Sequence, residues 1–170
     1  MPKNVEIKAR VSDLDGLRVR VEALSDAEPE ILDQEDVFFH VPKGRVKLRT
    51  FSDGGGELIA YDRADESGPS LSSFRIHRTE NPTGLKSFLE DLLGVRGVVR
   101  KRRLLYRIGQ TRVHLDDVEG LGAFLELEVV LSDEQSVEDG ARIATEILAK
   151  LGVPDEDRID RAYIDLLETG

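Results

Sequence analysis

Alternating apolar and charged positions recur along most of the chain. Residues 5–11, VEIKARV, and residues 73–79, SFRIHRT, alternate with a period of two, which predicts strands with one polar face. Similar alternation, or runs of apolar and β-branched residues, predicts further strands at 31–41, 45–51, 57–63, 98–108, 112–118 and 123–131. Apolar residues at helical spacing predict helices at 13–25, 82–93, 136–151 and 158–168.

The connections between these strands are mostly short. SDGGG at 52–56 is a hairpin turn signal, and EGLG at 119–122 also turns the chain between two strands. Strands joined by short turns pair antiparallel. We therefore expect a largely antiparallel sheet with helices around it, and closure of such a sheet into a barrel removes its exposed edges.

The charged side chains of these strands fall on shared faces, because residues two apart in a strand point the same way. The basic faces carry Arg45, Lys47, Arg49, Lys101, Arg103 and Arg107, and the acidic face of the last strand carries Glu126 and Glu128. A polar face in water explains one such strand, but here whole strands carry a single sign of charge. If these faces point inward, the lumen suits a polyanion held together with a hard divalent cation.

Composition narrows the class of protein. The formal net charge of −10 argues against a partner that needs a basic surface, so we expect no nucleic-acid partner. The absence of cysteine excludes disulfides, thiolate metal sites and a thiol nucleophile. No apolar run approaches the ~18 residues of a membrane span, and the first ten residues lack the apolar stretch of a signal peptide. We expect a cytoplasmic protein of one domain, residues 1–170, without a membrane partner.

Five segments resemble the CYTH family, also called triphosphate tunnel metalloenzymes. They are EIK at 6–8, KLR at 47–49, VRKRRLLY at 99–106, LDDVEGLGAFLELE at 115–128 and AYIDLL at 162–167. The resemblance implies an α+β fold in which an eight-stranded antiparallel β-barrel forms a tunnel flanked by helices. It also implies a metal-dependent enzyme that acts on triphosphate-containing substrates with Mg²⁺ or Mn²⁺.

The resemblance also implies roles for particular residues. Carboxylates similar to the family's metal ligands are Glu6, Asp116, Glu126 and Glu128. Cations similar to its substrate-binding residues are Lys8, Arg10, Lys47, Arg49, Arg63, Lys101 and Arg103. Catalytic roles fall on Lys8, Arg103 and Asp116. Asn4 stands where the family motif has a glutamate, and an amide offers a carbonyl oxygen without a charge.

The choice between activities depends on one loop. Residues 61–72, YDRADESGPSLS, resemble a stretch of bacterial proteins labelled class IV adenylyl cyclases, which favours conversion of ATP to cyclic AMP and pyrophosphate. A hydrolase acting on inorganic tripolyphosphate or thiamine triphosphate is the alternative. A non-catalytic module that binds polyphosphate or a nucleotide is a third hypothesis.

Three further features are left open by the pattern. His114 shares a face with Arg112 and Asp116. It is either a proton carrier in catalysis or an ordinary hydrogen-bonded residue of the strand. Tyr61 is a candidate contact for a base or ribose. The C-terminal helix either caps one mouth of the tunnel or contributes to a homodimer interface.

Overall fold

The computed structural model describes residues 3–63 and 70–169, with residues 63, 70–72 and 169 described by their backbone alone. The strands are β1 (Lys3–Arg10), β2 (Glu30–Phe39), β3 (Arg45–Phe51), β4 (Gly56–Arg63), β5 (Ser70–Thr79), β6 (Val95–Ile108), β7 (Thr111–Val118), β8 (Gly122–Val130) and β9 (Arg158–Ile159). The helices are α1 (Leu14–Leu24), α2 (Pro82–Leu93), α3 (Val137–Leu151) and α4 (Tyr163–Thr169).

The first eight strands close into an antiparallel barrel. Their order is β5-β4-β3-β2-β6-β7-β8-β1, and pairing of β1 with β5 closes the ring. The prediction of an eight-stranded barrel flanked by helices is thereby confirmed. The predicted helix 82–93 is also confirmed: Asn81 caps it by accepting a hydrogen bond from the Gly84 amide, and Gly94 follows its end.

One edge of β1 is shared by two strands. Residues Lys3–Glu6 pair with β5, whereas Lys8 and Ala9 pair with Ile159 and Arg158 of β9. The prediction of a continuous helix over 158–168 is therefore wrong at its start. Backbone groups on the second half of β1 need hydrogen-bond partners, and residues 158–159 supply them in extended form before α4 begins.

The outer face of the barrel holds the main apolar core. Helix α3 packs on β1 and β8, and α1 packs on α3 and β6. The buried side chains there include Val5, Leu17, Val21, Leu127, Ile147 and Leu148. Helix α3 approaches closely at Gly140, where a Cβ would lie 2.5 Å from Cγ2 of Val5. Since the apolar residues of these strands point outward, their alternate polar residues point into the barrel.

Candidate active site in the tunnel

The barrel encloses a cavity of about 440 Å³, which we call the tunnel. Among the described residues, eight basic side chains line it: Lys8, Lys47, Arg49, Arg78, Lys101, Arg103, Arg107 and Arg112. Six acidic side chains line it as well: Glu6, Glu30, Asp36, Glu57, Glu126 and Glu128. The charged faces seen in the sequence therefore converge on one interior.

A buried carboxylate, Asp36 on β2, gathers three of these cations. Arg49 donates two hydrogen bonds of 2.8 Å to its two oxygens, and the Nζ atoms of Lys101 and Lys47 lie 2.9 and 3.3 Å from Oδ2. Burial alone would raise the pKa of Asp36, but the three cations hold it well below the ordinary value. Asp36 thus stays ionised and neutralises part of the basic cluster.

Lys101 carries a strongly perturbed amine. Burial lowers its pKa from 10.5 to about 7, with Arg49, Arg103 and Lys47 acting in the same direction and Asp36 opposing them. Its ammonium is therefore only partly charged near neutral pH. An anion entering the tunnel would restore that charge.

A second buried pair joins Arg103 to Asp116. The guanidinium donates hydrogen bonds of 2.7 and 2.8 Å to the two carboxylate oxygens, and the Tyr163 hydroxyl donates a third of 2.7 Å to Oδ2. Asp116 has no exposed surface and is not among the groups that line the tunnel. The structure therefore places this predicted metal ligand behind Arg103, with both oxygens engaged.

Tyr163 brings α4 into the site. Its ring lies 3.8 Å from the Lys8 Nζ atom, and burial, together with the Asp116 and Glu126 carboxylates, raises the pKa of its hydroxyl well above 10. The hydroxyl is consequently a fixed donor to Asp116. Tyr163, at the start of α4, thus forms part of the tunnel lining.

Three potential metal ligands meet on β7 and β8. His114, Glu126 and Glu128 each offer one donor atom, and these atoms lie within 4.8 Å of one another. Burial raises the pKa of Glu128 and lowers that of His114 well below 6.5. Two carboxylates and a neutral imidazole are donors that a divalent cation accepts, so these residues fit the metal ion that the sequence predicted.

The other predicted residues fall into two groups. Glu6, Lys8, Lys47 and Arg49 line the tunnel with Lys101 and Arg103. Arg10 is exposed, lies outside the lining and has its guanidinium 5.5 Å from the Phe124 ring centroid. The side chain of Arg63 lies outside the described residues.

Two polar residues of the tunnel stand out beside these. Asn4 lines the cavity and is buried, and its Oδ1 has no hydrogen-bond partner within residues 3–63 and 70–169. Asp36 was missed by sequence reasoning although it organises the cation cluster. Asp36 lies in phase with Gln34 and Phe38 near the apolar end of its strand, but the neighbouring acids Asp33 and Glu35 hid that signal.

Part of the tunnel wall is apolar. Among the described residues its members are Leu32, Phe38, Phe51, Ile59, Tyr61, Phe74, Ile76, Val99, Leu105 and Ala162. An inorganic polyanion has no apolar surface that could be buried against this part of the wall. The cavity therefore presents apolar surface as well as charged groups.

Within the described ranges, no helix is both long enough and apolar enough to cross a membrane.

Comparison with known proteins places these features in a family. The family model for the CYTH domain matches residues 2–163. Adenylate cyclase CyaB of Aeromonas hydrophila is 27% identical over 177 residues, which cover 96% of this chain and 88% of that protein. The solved structure of PH1012 from Pyrococcus horikoshii OT3 superposes with a TM-score of 0.86 at 28% identity, covering 96% and 98% of the two chains.

A plant relative shares the fold at lower identity. The structure of HpAC1 from Hippeastrum, a proposed adenylyl cyclase described as having a dominant triphosphatase activity, superposes with a TM-score of 0.70 at 17% identity. It covers 98% of this chain and 96% of its own, and at that identity the likeness concerns the fold. The match of the family model over nearly the whole chain, on a closed eight-stranded tunnel with a charged interior, shows that this protein belongs to the CYTH family.

Proposed function

We propose that this protein is a divalent-metal-dependent enzyme that binds ATP in the tunnel and converts it to cyclic AMP and pyrophosphate. One observation carries the proposal: the cations around Asp36, the carboxylates Glu126 and Glu128, and the apolar lining residues share a single cavity. This arrangement supplies charge for three phosphates and shelter for a nucleoside. The similarity to CyaB of Aeromonas hydrophila supports the same activity.

The cations act mainly by position. Lys8, Lys47, Arg49, Lys101 and Arg103 line the tunnel and carry donors for phosphate oxygens. In the protein without substrate, Asp36 balances three of them and Asp116 balances Arg103. We assign Asp116 the role of positioning Arg103, because two hydrogen bonds fix the guanidinium and the hydroxyl of Tyr163 fixes the carboxylate.

Glu126 and Glu128, with Glu6 opposite Glu128 in the β1–β8 register, are the residues that would hold Mg²⁺ or Mn²⁺. A bound divalent ion neutralises phosphate oxygens and so stabilises the charge that develops during phosphoryl transfer. Asn4 contributes no charge to this group. We therefore assign a single carboxylate-bound ion to the tunnel.

The reaction itself needs orientation more than reactive side chains. The 3′-hydroxyl oxygen forms a bond to the α-phosphorus, the bond from that phosphorus to the α,β-bridging oxygen breaks, and pyrophosphate leaves. The hydroxyl proton passes to solvent or to the leaving group. The chain's contribution is to hold the triphosphate against its cations and the nucleoside against the apolar wall.

Hydrolysis is the second candidate, and the number of cations favours it. Eight basic side chains among the described residues line the tunnel, enough to bind tripolyphosphate along its full length. Water would then replace the ribose hydroxyl as nucleophile. Inorganic tripolyphosphate or thiamine triphosphate would be the substrate.

A substrate panel tests these assignments. Purified protein is incubated with ATP, tripolyphosphate or thiamine triphosphate, each with Mg²⁺ or Mn²⁺, and products are separated by ion-exchange chromatography. Cyclic AMP with pyrophosphate supports the proposal, whereas phosphate release with ATP spared supports hydrolysis. Ligand-induced thermal stabilisation without turnover of any substrate would leave only a binding module.

Two variants connect turnover with the carboxylates. Glu128→Gln keeps the size of a tunnel side chain and removes its charge, so metal-dependent turnover should be abolished. Glu134→Gln makes the same change at an exposed position in the loop before α3 and should leave turnover unaltered. Equal rates in the two variants would show that Glu128 does not act in the reaction.

A further inference from the structure

We propose that His114 is a nitrogen ligand that completes a metal site with Glu126 and Glu128, and that this site favours first-row transition-metal ions such as Mn²⁺, Co²⁺ and Zn²⁺ over Mg²⁺. The inference deepens the proposed function, since it depends on the presence of a divalent ion in the tunnel. It does not depend on which triphosphate is turned over.

The strand register brings the three side chains together. His114 on β7 lies directly opposite Glu126 on β8, and Arg112 lies opposite Glu128 two residues away. All four side chains line the tunnel. The donor atoms of His114, Glu126 and Glu128 lie within 4.8 Å of one another. Atoms bound to one ion at about 2.0–2.2 Å are up to about 4.4 Å apart, so small side-chain rotations bring all three to an ion.

The imidazole lacks the partners that a buried histidine needs. His114 is 1% exposed, and neither Nδ1 nor Nε2 has a hydrogen-bond partner among the described residues. A buried polar group that lacks a hydrogen-bond partner destabilises the fold. A metal ion in the tunnel would take the lone pair of one nitrogen and remove that destabilisation on one side of the ring.

The neighbouring arginines already have carboxylate partners. The Arg103 Nη2 atom lies 3.6 Å from Oε2 of Glu126, and the Arg112 Nη1 atom lies 3.5 Å from Oε1 of Glu128. Both distances are longer than a charge-assisted hydrogen bond, so a cation can displace these contacts. The two carboxylates then balance the charge of the ion, and His114 contributes a neutral ligand.

A nitrogen ligand changes which ion is preferred. Mg²⁺ takes oxygen ligands in near-octahedral geometry and keeps several of its waters. Imidazole binds later divalent ions more strongly, in the order that rises from Mn²⁺ through Co²⁺. Replacing one oxygen of the shell by His114 therefore raises the affinity for Mn²⁺ and its successors and does little for Mg²⁺.

Pulsed electron paramagnetic resonance of bound Mn²⁺ tests the ligand directly. The full chain is loaded with Mn²⁺ without substrate, once at natural abundance and once with ¹⁵N-labelled histidine. We expect echo modulation from a bound ¹⁴N nucleus in the first sample and its replacement by ¹⁵N modulation in the second. Bound Mn²⁺ with no nitrogen coupling, or no binding of Mn²⁺, would overturn the inference.

The chain contains three histidines, which gives a matched control. His40 and His77 are exposed, so the double variant His40→Gln with His77→Gln should keep the nitrogen coupling, whereas His114→Gln should lose it. If His114→Gln does not fold, the labelled wild-type protein still decides. Nitrogen coupling that survives His114→Gln would assign the ligand elsewhere and overturn the inference.

Affinity measurements test the selectivity. Loss of a residue that only supports a metal ligand lowers metal affinity by about 10- to 100-fold. In a calorimetric titration, His114→Gln should therefore lower the affinity for Mn²⁺ and Co²⁺ by at least this factor. The affinity for Mg²⁺ should be nearly unchanged. An equal loss for Mg²⁺ would refute the selectivity. If Mn²⁺ shows nitrogen coupling but no substrate is turned over, only the proposed function is refuted. If substrate is turned over but bound Mn²⁺ shows no nitrogen coupling, only this inference is refuted.

Discussion

Lys101 should make binding of a triphosphate depend on pH. Its pKa is lowered to about 7, so above that pH the amine is mostly neutral in the protein without substrate. A polyanion beside it favours the charged form, and binding must then draw a proton from solvent. The groups that face this amine are Asp36, Lys47, Arg49, Arg103 and the ring of Tyr163.

The size of the effect follows from the two pKa values. If the bound triphosphate returns Lys101 to its ordinary value of 10.5, uptake is about 0.9 proton at pH 8 and about 0.1 proton at pH 6. Linkage then weakens binding by about 100-fold between pH 6 and pH 9, because the charged form is the one that binds. The loss occurs as pH rises through the pKa of the substrate-free protein.

Isothermal titration calorimetry measures this uptake. Tripolyphosphate is titrated without metal in two buffers of different ionisation enthalpy, and the difference in observed enthalpy gives the number of protons taken up. Lys101→Arg is the matched control, since its guanidinium stays charged at every pH used. Subtracting the variant from the wild type removes the protonation of tripolyphosphate itself, which both share.

Equal proton uptake in the wild type and Lys101→Arg at pH 8 would refute the reasoning. It would mean that Lys101 already carries its charge in the empty tunnel, and that Asp36 outweighs burial. A thermal melt of both proteins accompanies the titration and shows that the variant is folded.

Three further changes probe the buried pairs and the packing. Asp116→Asn should destabilise the protein by about 3–5 kcal/mol, measured by urea unfolding, and lower kcat, because Arg103 loses a buried partner. Asp36→Asn should lower the Tm of the free protein yet enlarge the rise in Tm on adding tripolyphosphate, since three cations lose their internal counter-ion. Gly140→Ala should destabilise the fold by about 1–3 kcal/mol because its methyl group would press on Val5.

The controls for these variants come from the surface. Asp33 forms an ion pair with Arg102, and both side chains are exposed, so Asp33→Asn should leave the free energy of unfolding close to that of the wild type. If Asp116→Asn lowers the free energy of unfolding no more than Asp33→Asn does, the buried Arg103–Asp116 pair contributes nothing to stability. A smaller ligand-induced rise in Asp36→Asn would show that Asp36 assists the anion. A stability gain in Gly140→Ala would show that α3 has room to shift.

The strands were predictable because the two faces of each strand meet different surroundings in the barrel. Period-two alternation marks an apolar outer face under helices and a charged inner face, and the predicted bounds of β3 match those observed. Residues 158–159 could not be assigned from local pattern, since an open stretch of β1 edge sets their conformation. Extended structure there is dictated by a partner about 150 residues away.

The site was predictable in its charges and less so in its pairings. Asp36 contacts Arg49 because the pairing of β2 with β3 places these two residues opposite each other. The sequence around either residue does not reveal that pairing. Arg10 shares the phase of Lys8, but phase does not report depth along the barrel, and its side chain is exposed beyond the lining. The orphaned nitrogens of His114 likewise became visible only with burial and neighbours in place.

The split edge of β1 has a consequence for how the protein is made. Residues 3–10 are synthesised before their partners, which lie in β5, β8 and β9, the last of which ends at residue 159. The ring cannot close until most of the chain has been synthesised. Such long-range pairing slows folding, and until its partners have been made the edges of β1 stay unpaired and open to association with other chains.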